Sequence, residues 1–153
     1  MAGGRSKREE LLTGGAAIAV LAVALWLFFG RLPGPARTTV DLGRPVTTDA
    51  GRITVFSLEP VPAGSKAAPP PESGHTLMAI RFRACRANQD GEVVDLSRFG
   101  VRTREGVAPV AGSSTRETPD RCAVGEVFSQ VPVGAVPTDV QYDANPFGDW
   151  RLP

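Results

Sequence analysis

Three oxygen-bearing side chains, Asp143, Asn145 and Asp149, lie close together in the segment DANPFGD. Calcium prefers oxygen ligands of this kind, so the segment is a candidate calcium site. The twelve-residue calcium-binding loop that ends in Glu is absent, and Asn-Pro and Gly-Asp are also common in turns. The interpretation as an ordinary turn is therefore favoured, and calcium binding is the alternative.

A second candidate site consists of four arginines, Arg81, Arg83, Arg102 and Arg104. Alternate residues of a strand point to the same side, so we expect these arginines to share the outer face of neighbouring strands. Such a basic stripe could contact anionic lipid headgroups or wall polymers. The alternative, which is favoured, is that these side chains keep the sheet soluble and pair with nearby carboxylates.

The segment VPAGSKAAPPPES, residues 61–73, links two predicted strands and contains Pro69, Pro70 and Pro71. Three consecutive prolines favour the polyproline II conformation, which aromatic grooves recognise. No aromatic or basic recognition pattern flanks them. A stiff surface loop is therefore the favoured interpretation, and a docking site for a partner is the alternative.

The chain contains two cysteines, Cys85 and Cys122. We predict that they form one disulfide, which places the domain in an oxidising compartment. Cys85 should lie on the outer side of its strand, so the bridge should pin residues 105–121, expected to be a loop, across the outside of the sheet. This differs from the inter-sheet bridge of antibody domains.

Catalytic motifs are nearly absent. His75, the one histidine, lies in a Ser-Gly-His turn and is interpreted as a surface turn residue, and Met78 is interpreted as a core residue. A metal site needs several ligands. No nucleophile elbow, phosphate-binding glycine loop or HExxH pattern occurs. The sequence therefore predicts a protein without enzymatic activity and without a cofactor.

The elements that position these residues follow an apolar segment, LLTGGAAIAVLAVALWLFF, at residues 11–29. At about 1.5 Å per residue its length matches the roughly 30 Å of a bilayer core. We predict a cytoplasmic stub at 1–10, a membrane helix at 11–30, a stalk at 31–37 and one domain at 38–153. The charges flanking the helix are nearly tied, so orientation rests on the cysteines: the N-terminus is inside and the domain is extracytoplasmic. A cleaved signal peptide is the alternative.

The charge of the domain argues against nucleic-acid binding. Three of the 17 basic and two of the 16 acidic side chains precede residue 31, so 14 of each remain in residues 31–153, the stalk and the domain together. Nucleic-acid binders normally carry a basic excess that neutralises phosphates. The predicted partners are membrane lipid, at residues 11–30, and other proteins of the envelope or membrane.

Beyond residue 38, short apolar runs separated by Pro and Gly predict an all-β fold, a two-sheet β-sandwich. In TLMAIRFRACR, Ile80, Phe82 and Ala84 should face the core, whereas Arg81 and Arg83 should face water. The predicted strands are 39–42, 52–58, 76–86, 100–103, 107–110, 126–131, 139–142 and the edge strand 149–152.

Residues 75–133 carry a loose pattern in the runs TLMAIRFRACRAN, FGVRTREGVAPV and VGEVFSQVP. This pattern resembles the immunoglobulin-like extracellular domains of bacterial envelope proteins, a family of unknown function that carries the misleading label telomeric repeat-binding factor 2. It is also similar to a secreted mycobacterial antigen domain. The resemblance implies an immunoglobulin-like sandwich outside the cytoplasmic membrane and implies no activity or site. It leaves the strand order open.

Together these observations predict a membrane-anchored, extracytoplasmic and non-enzymatic module that mediates protein–protein interaction or assembly in the cell envelope. The alternative is an envelope protein that binds a small ligand or an ion, as a sensor or carrier.

Overall fold

The computed structural model describes residues 36–62, 64–86 and 94–153. These residues form nine strands and one short 3-10 turn, Leu96–Arg98, which confirms the all-β prediction. The strands are β1 (Arg37–Asp41), β2 (Pro45–Thr48), β3 (Gly51–Pro60), β4 (His75–Arg86), β5 (Phe99–Thr103), β6 (Val107–Glu117), β7 (Cys122–Pro132), β8 (Pro137–Tyr142) and β9 (Phe147–Arg151).

The predicted membrane segment is not among the described residues. The stub at 1–10, the helix at 11–30 and most of the stalk at 31–37 lie outside them. Within the described ranges, no helix has the length and apolar character needed to cross a bilayer.

The strands form one sheet in the order β1-β9-β8-β5-β6-β7-β4-β3-β2, which folds into two layers. We call β1, β9, β8 and β5, which have five or six residues each, the small layer. We call β7, β4, β3 and β2, of which the first three have ten to twelve residues, the large layer. Strand β6 belongs to both. Val107 to Pro109 pair with β5, whereas Val110 to Glu117 pair with β7. The prediction of two separate sheets is therefore corrected to one continuous sheet.

The two ends of this sheet approach each other, so that it nearly closes. The indole Nε1 of Trp150, on β9, donates a hydrogen bond of 2.8 Å to the carbonyl of Arg44, just before β2. A Cβ added to Gly148 would lie 3.5 Å from Val46 Cγ1 of β2. The neighbouring β1 pairs with β9 in parallel, whereas the other ladders are antiparallel.

Strand β4 shows how the sequence pattern forms the core. Ile80, Phe82 and Ala84 are buried, whereas Arg81 and Arg83 are exposed, which confirms the predicted alternation. The β4 residue Phe82 packs against Phe99 of β5, with ring centroids 5.0 Å apart. The aromatic contact joins the two layers. Met78 is partly buried and packs against the same core, as predicted.

Several boundaries differ from the predictions. Strand β2 was not predicted, because its four residues, PVTT, begin with proline and are too few for an alternation to be recognised. Strand β6 extends to Glu117, well beyond the predicted end at Val110. The sequence did not indicate this extension, because the last seven residues, AGSSTRE, have small or polar side chains that do not alternate with apolar ones.

Candidate functional site

The four predicted arginines do not share one face. Arg81 and Arg83 lie on β4 of the large layer, Arg102 lies on β5, and Arg104 lies in the turn after β5. Strands β6 and β7 lie between β4 and β5 in the sheet. The prediction that all four arginines lie on neighbouring strands is therefore wrong. The order in which strands pair could not be inferred from their order in the sequence.

Arg102 contributes to the structure of the small layer. Its Nη2 donates to Gln141 Oε1 at 2.9 Å and to Asp149 Oδ1 at 3.2 Å. The other carboxylate oxygen of Asp149 accepts from Arg37 Nη1 at 3.3 Å. Asp149 is 5% exposed, so this carboxylate joins β1 and β5 to β9 from a buried position.

These bonds also bear on the candidate calcium site. Both oxygens of Asp149 are held by arginines, and Asp149 lies within β9 and not in a loop. Asn145 lies in the turn before β9, where its backbone N–H donates to Asp49 Oδ1 at 3.2 Å and its carbonyl accepts from the Asp49 N–H at 2.9 Å. Asp143 is exposed. The segment is therefore a turn joined to a strand, and no group of three His, Cys, Asp or Glu among the described residues could hold a metal ion.

Cys85 and Cys122 form a disulfide. They are direct partners in the antiparallel ladder of β4 and β7, so the bridge lies within the large layer, on the side of Arg83. The predicted side is correct. The predicted loop is wrong, because most of residues 105–121 form β6.

The described residues of the proline loop, 61–62 and 64–73, lie on the outer face of the large layer. Leu77, Ala79 and Phe128 form a second, smaller core on that face, against which Val61 and Ala68 of the loop pack. These contacts bury apolar side chains that would otherwise face water on the outer side of β4 and β7.

Side-chain hydrogen bonds hold the proline loop in place. The side-chain amide of Gln130 donates to the Pro70 carbonyl at 3.3 Å, and its oxygen accepts from the Glu72 N–H at 3.2 Å. The Pro69 ring lies over β6, where a Cβ on Gly112 would be 3.5 Å from its Cγ. Pro69, Pro70 and Pro71 line a cleft of 510 Å³ that His75 also borders. The Nδ1 of His75 lies 3.2 Å from the Ser73 carbonyl, but His75 is the partly buried first residue of β4, so the prediction of a surface turn residue is corrected.

A larger cleft, of 620 Å³, opens on the same outer face next to the disulfide. Strands β3, β4, β7 and β6 form its floor and walls. Its lining includes Phe56, Arg81, Arg83, Ser114, Arg116, Val124, Gly125 and Glu126. A second depression adjoins it and contains Arg52 together with Arg83 and Cys85. We call this surface, with Arg52, Arg81, Arg83, Arg116 and Phe56, the arginine face.

Backbone irregularities shape this cleft. Phe56 is the extra residue of a β-bulge between Val55 and Ser57, and its side chain, on the outer face, is 52% exposed. Gly125, on β7, has φ +154°, and a Cβ there would lie 2.1 Å from the carbonyl oxygen of Ser114 on β6. Only glycine permits this close approach of the two strands.

Two arginines of the face are paired with carboxylates. Arg81 Nε donates to Glu126 Oε1 at 3.0 Å, and this hydrogen bond raises the pKa of the Arg81 guanidinium. Arg83 forms an ion pair with Asp120. The hydroxyl of Thr118, followed by the charge of Arg83, lowers the pKa of the Asp120 carboxyl.

The other two arginines have no such partner. Within the described ranges, Arg52 and Arg116 form no ion pair, and both are exposed. Sequence reasoning missed them, together with Phe56. Phe56 could have been found from the alternation in β3. Ile53 and Val55 are apolar and two residues apart, so they face the core, and the next residue, Phe56, should face outward. Arg116 was missed because its segment was predicted to be a loop.

No protein-family model and no curated protein matches the chain. The crystal structure of MPT63, a secreted protein from Mycobacterium tuberculosis, is similar to this chain with a TM-score of 0.53 and 20% sequence identity. The similarity covers 76% of this chain and 98% of MPT63. At this identity the likeness shows a shared β fold. The family label given by the resemblance of residues 75–133 stays a prediction.

Proposed function

We propose that this chain is a membrane-anchored, extracytoplasmic module of immunoglobulin-like type, without enzymatic activity, that binds another protein of the cell envelope through its arginine face. The apolar segment at residues 11–29, flanked by charged residues on its N-terminal side, supports the anchor. The Cys85–Cys122 disulfide and the fold shared with a secreted protein support an extracytoplasmic domain.

The observation that carries the binding role is the composition of the cleft. A phenylalanine that is 52% exposed stands on a sheet face beside Arg81, Arg83 and Arg116. Aromatic and arginine side chains are the types enriched at protein–protein interfaces and at their energetic hot spots. Partly exposed Val124 and Gly125 at the floor add apolar surface that a partner would bury.

The experiment is site-specific photo-crosslinking in intact membranes. A photoreactive amino acid at position 56 should yield one adduct of defined mass, and an excess of the unmodified chain should compete it away. The matched control is position 133, where Val133 is also strongly exposed, at 68%, but lies in the turn after β7. The control position should give no adduct.

Equal adducts from both positions, or none from position 56, would overturn the proposed binding face. A monomer that carries a bound small molecule and gives no protein adduct would instead support the alternative, a ligand-binding envelope protein. A reporter fused after Pro153 tests the membrane topology separately, and cytosolic activity of the reporter would refute it.

A further inference from the structure

Four side chains of the arginine face lie in one row across the large layer. Thr54, Arg83, Val124 and Arg116 are successive partners across β3, β4, β7 and β6. Neighbouring strands are separated by about 4.8 Å, so the backbone positions of Arg83 and Arg116 are about 10 Å apart, with Val124 between them. The row thus places an apolar side chain between two guanidinium groups.

The next row supplies the rest of the cleft. Ser57, Arg81, Glu126 and Ser114 are successive partners on the same four strands. Glu126 forms an ion pair with Arg81, so the charges of this row cancel. Phe56, at the bulge beside Ser57, lies at the β3 end of the cleft.

The charges of the face are only half compensated. Glu126 and Asp120 neutralise Arg81 and Arg83, whereas Arg116 and Arg52 have no carboxylate partner in the part of the chain that the structure describes. Arg83 is still half exposed, with 47% of its side chain accessible. The guanidinium groups of Arg52 and Arg116, and the accessible part of Arg83, are therefore available to bind an anionic partner.

We propose that the arginine face binds an acidic, extended segment of the envelope partner, with carboxylates on Arg116 and Arg83 and an apolar side chain between them, over Val124 and beside Phe56. This inference rests on the proposed function. Guanidinium groups bind carboxylates through two parallel hydrogen bonds, as the geometry of both groups favours. In a β-extended segment, side chains at i, i+2 and i+4 share a side, so an acidic, an apolar and an acidic residue at alternate positions place the apolar side chain between the two carboxylates.

Other anions fit the cleft less well. Val124 and Gly125 are only partly exposed, whereas Phe56, Arg83 and Arg116 are exposed around them. A flat lipid surface would contact the surrounding groups and leave the floor uncovered. A phosphate polymer of the wall would have no apolar group to place on Val124 and Phe56. A second copy of this chain would bring a second set of arginines to the same face.

The test uses the full-length chain in detergent micelles and two synthetic peptides, one of Glu and Leu and one of Lys and Leu in the same order. The Glu peptide should bind and should shift the amide resonance of Gly125, and the Lys peptide should not bind. The variant Arg116→Glu should weaken binding at least about tenfold, since it replaces an attractive charge by a repulsive one. Arg104→Glu, an exposed arginine of the turn after β5, is the matched control and should change affinity less than about twofold.

Equal losses in Arg116→Glu and Arg104→Glu, or equal binding of both peptides, would overturn the inference. The inference would also be overturned if anionic lipid vesicles or a polyphosphate chain bound with the same affinity as the Glu peptide. Dimerisation of the chain that is abolished in Arg116→Glu would overturn it as well. The photo-crosslink from position 56 separates the two proposals. If the adduct persists in Arg116→Glu and at high salt, the partner docks there without acidic contacts, so this inference fails and the proposed function stands. If position 56 gives no adduct at all, the proposed function fails whatever the peptide does.

Discussion

Replacing both cysteines by alanine, in Cys85→Ala with Cys122→Ala, should destabilise the domain strongly. The two residues are separated by 37 positions, and they close a connection that contains β5 and β6. In the chain-entropy model, a cross-link over a loop of this length stabilises by about 4 kcal/mol, because it restricts the unfolded chain. For a domain of this size the melting temperature should fall by about 15 °C.

The folded state should hardly change, because β4 and β7 remain paired along their length from His75 to Ala84. Removal of the bridge lets the unfolded chain expand, so the denaturant m-value should rise. Fluorescence of the fully buried Trp150 reports unfolding of the domain. Both thermal and urea unfolding can therefore be followed without a label.

Reduction provides the control for this prediction. The reduced wild-type chain should lose as much stability as the double variant, and the variant should not respond to reductant. A melting temperature within about 3 °C of the oxidised wild type would refute the entropic reasoning. Destabilisation of the variant without destabilisation on reduction would assign the effect to lost packing at the buried Cys122, which is 2% exposed.

Three further predictions concern single residues. Gly125→Ala should cost about 2–4 kcal/mol, because φ is +154° and the new Cβ would lie 2.1 Å from the Ser114 carbonyl oxygen; a loss below about 0.5 kcal/mol in urea unfolding would contradict this. Asp149→Asn should lower the free energy of unfolding by about 2 kcal/mol, because it leaves the partly buried guanidinium of Arg102 without its carboxylate. In the wild type, calcium at millimolar concentration should not shift the melting temperature, because the arginines already hold both oxygens of Asp149. Burial raises the pKa of the Tyr142 phenol, so the unfolded chain ionises first and stability should fall as pH rises through about 10. Tyr142→Phe should remove this alkaline loss and cost little at neutral pH, because the ring that packs against Phe99 is kept. A large loss of stability at pH 7 would contradict this prediction.

Local alternation allowed much of the fold to be predicted from the sequence. In β4, Ile80, Phe82 and Ala84 alternate with Arg81 and Arg83, so the strand and its inward face follow directly from a period of two. The disulfide was predictable because the chain has two cysteines. The connection between the layers was not, since the crossing strand β6 is polar over most of its length and its partners are set by the packing of the whole domain.

The candidate site was only partly predictable, for the same reason. Arg81 and Arg83 were identified on the correct face, but Arg102 was grouped with them although it binds Asp149 on the other layer. Arg116 lies two strands from Arg83, and only the register of β6 brings it there. Long-range pairing of this kind leaves no local signal in the sequence.

The crossing strand β6 has a consequence for how the domain unfolds. This strand runs from the ladder with β5 into the ladder with β7, and Phe82 and Phe99 pack against each other between the layers, so loss of either layer would expose the core that both layers share. Amide protons in Phe82 and in Val140, one from each layer, should therefore exchange with solvent through the same global opening and at the same free energy. Equal free energies of exchange at the two positions would identify the domain as a single cooperative unit.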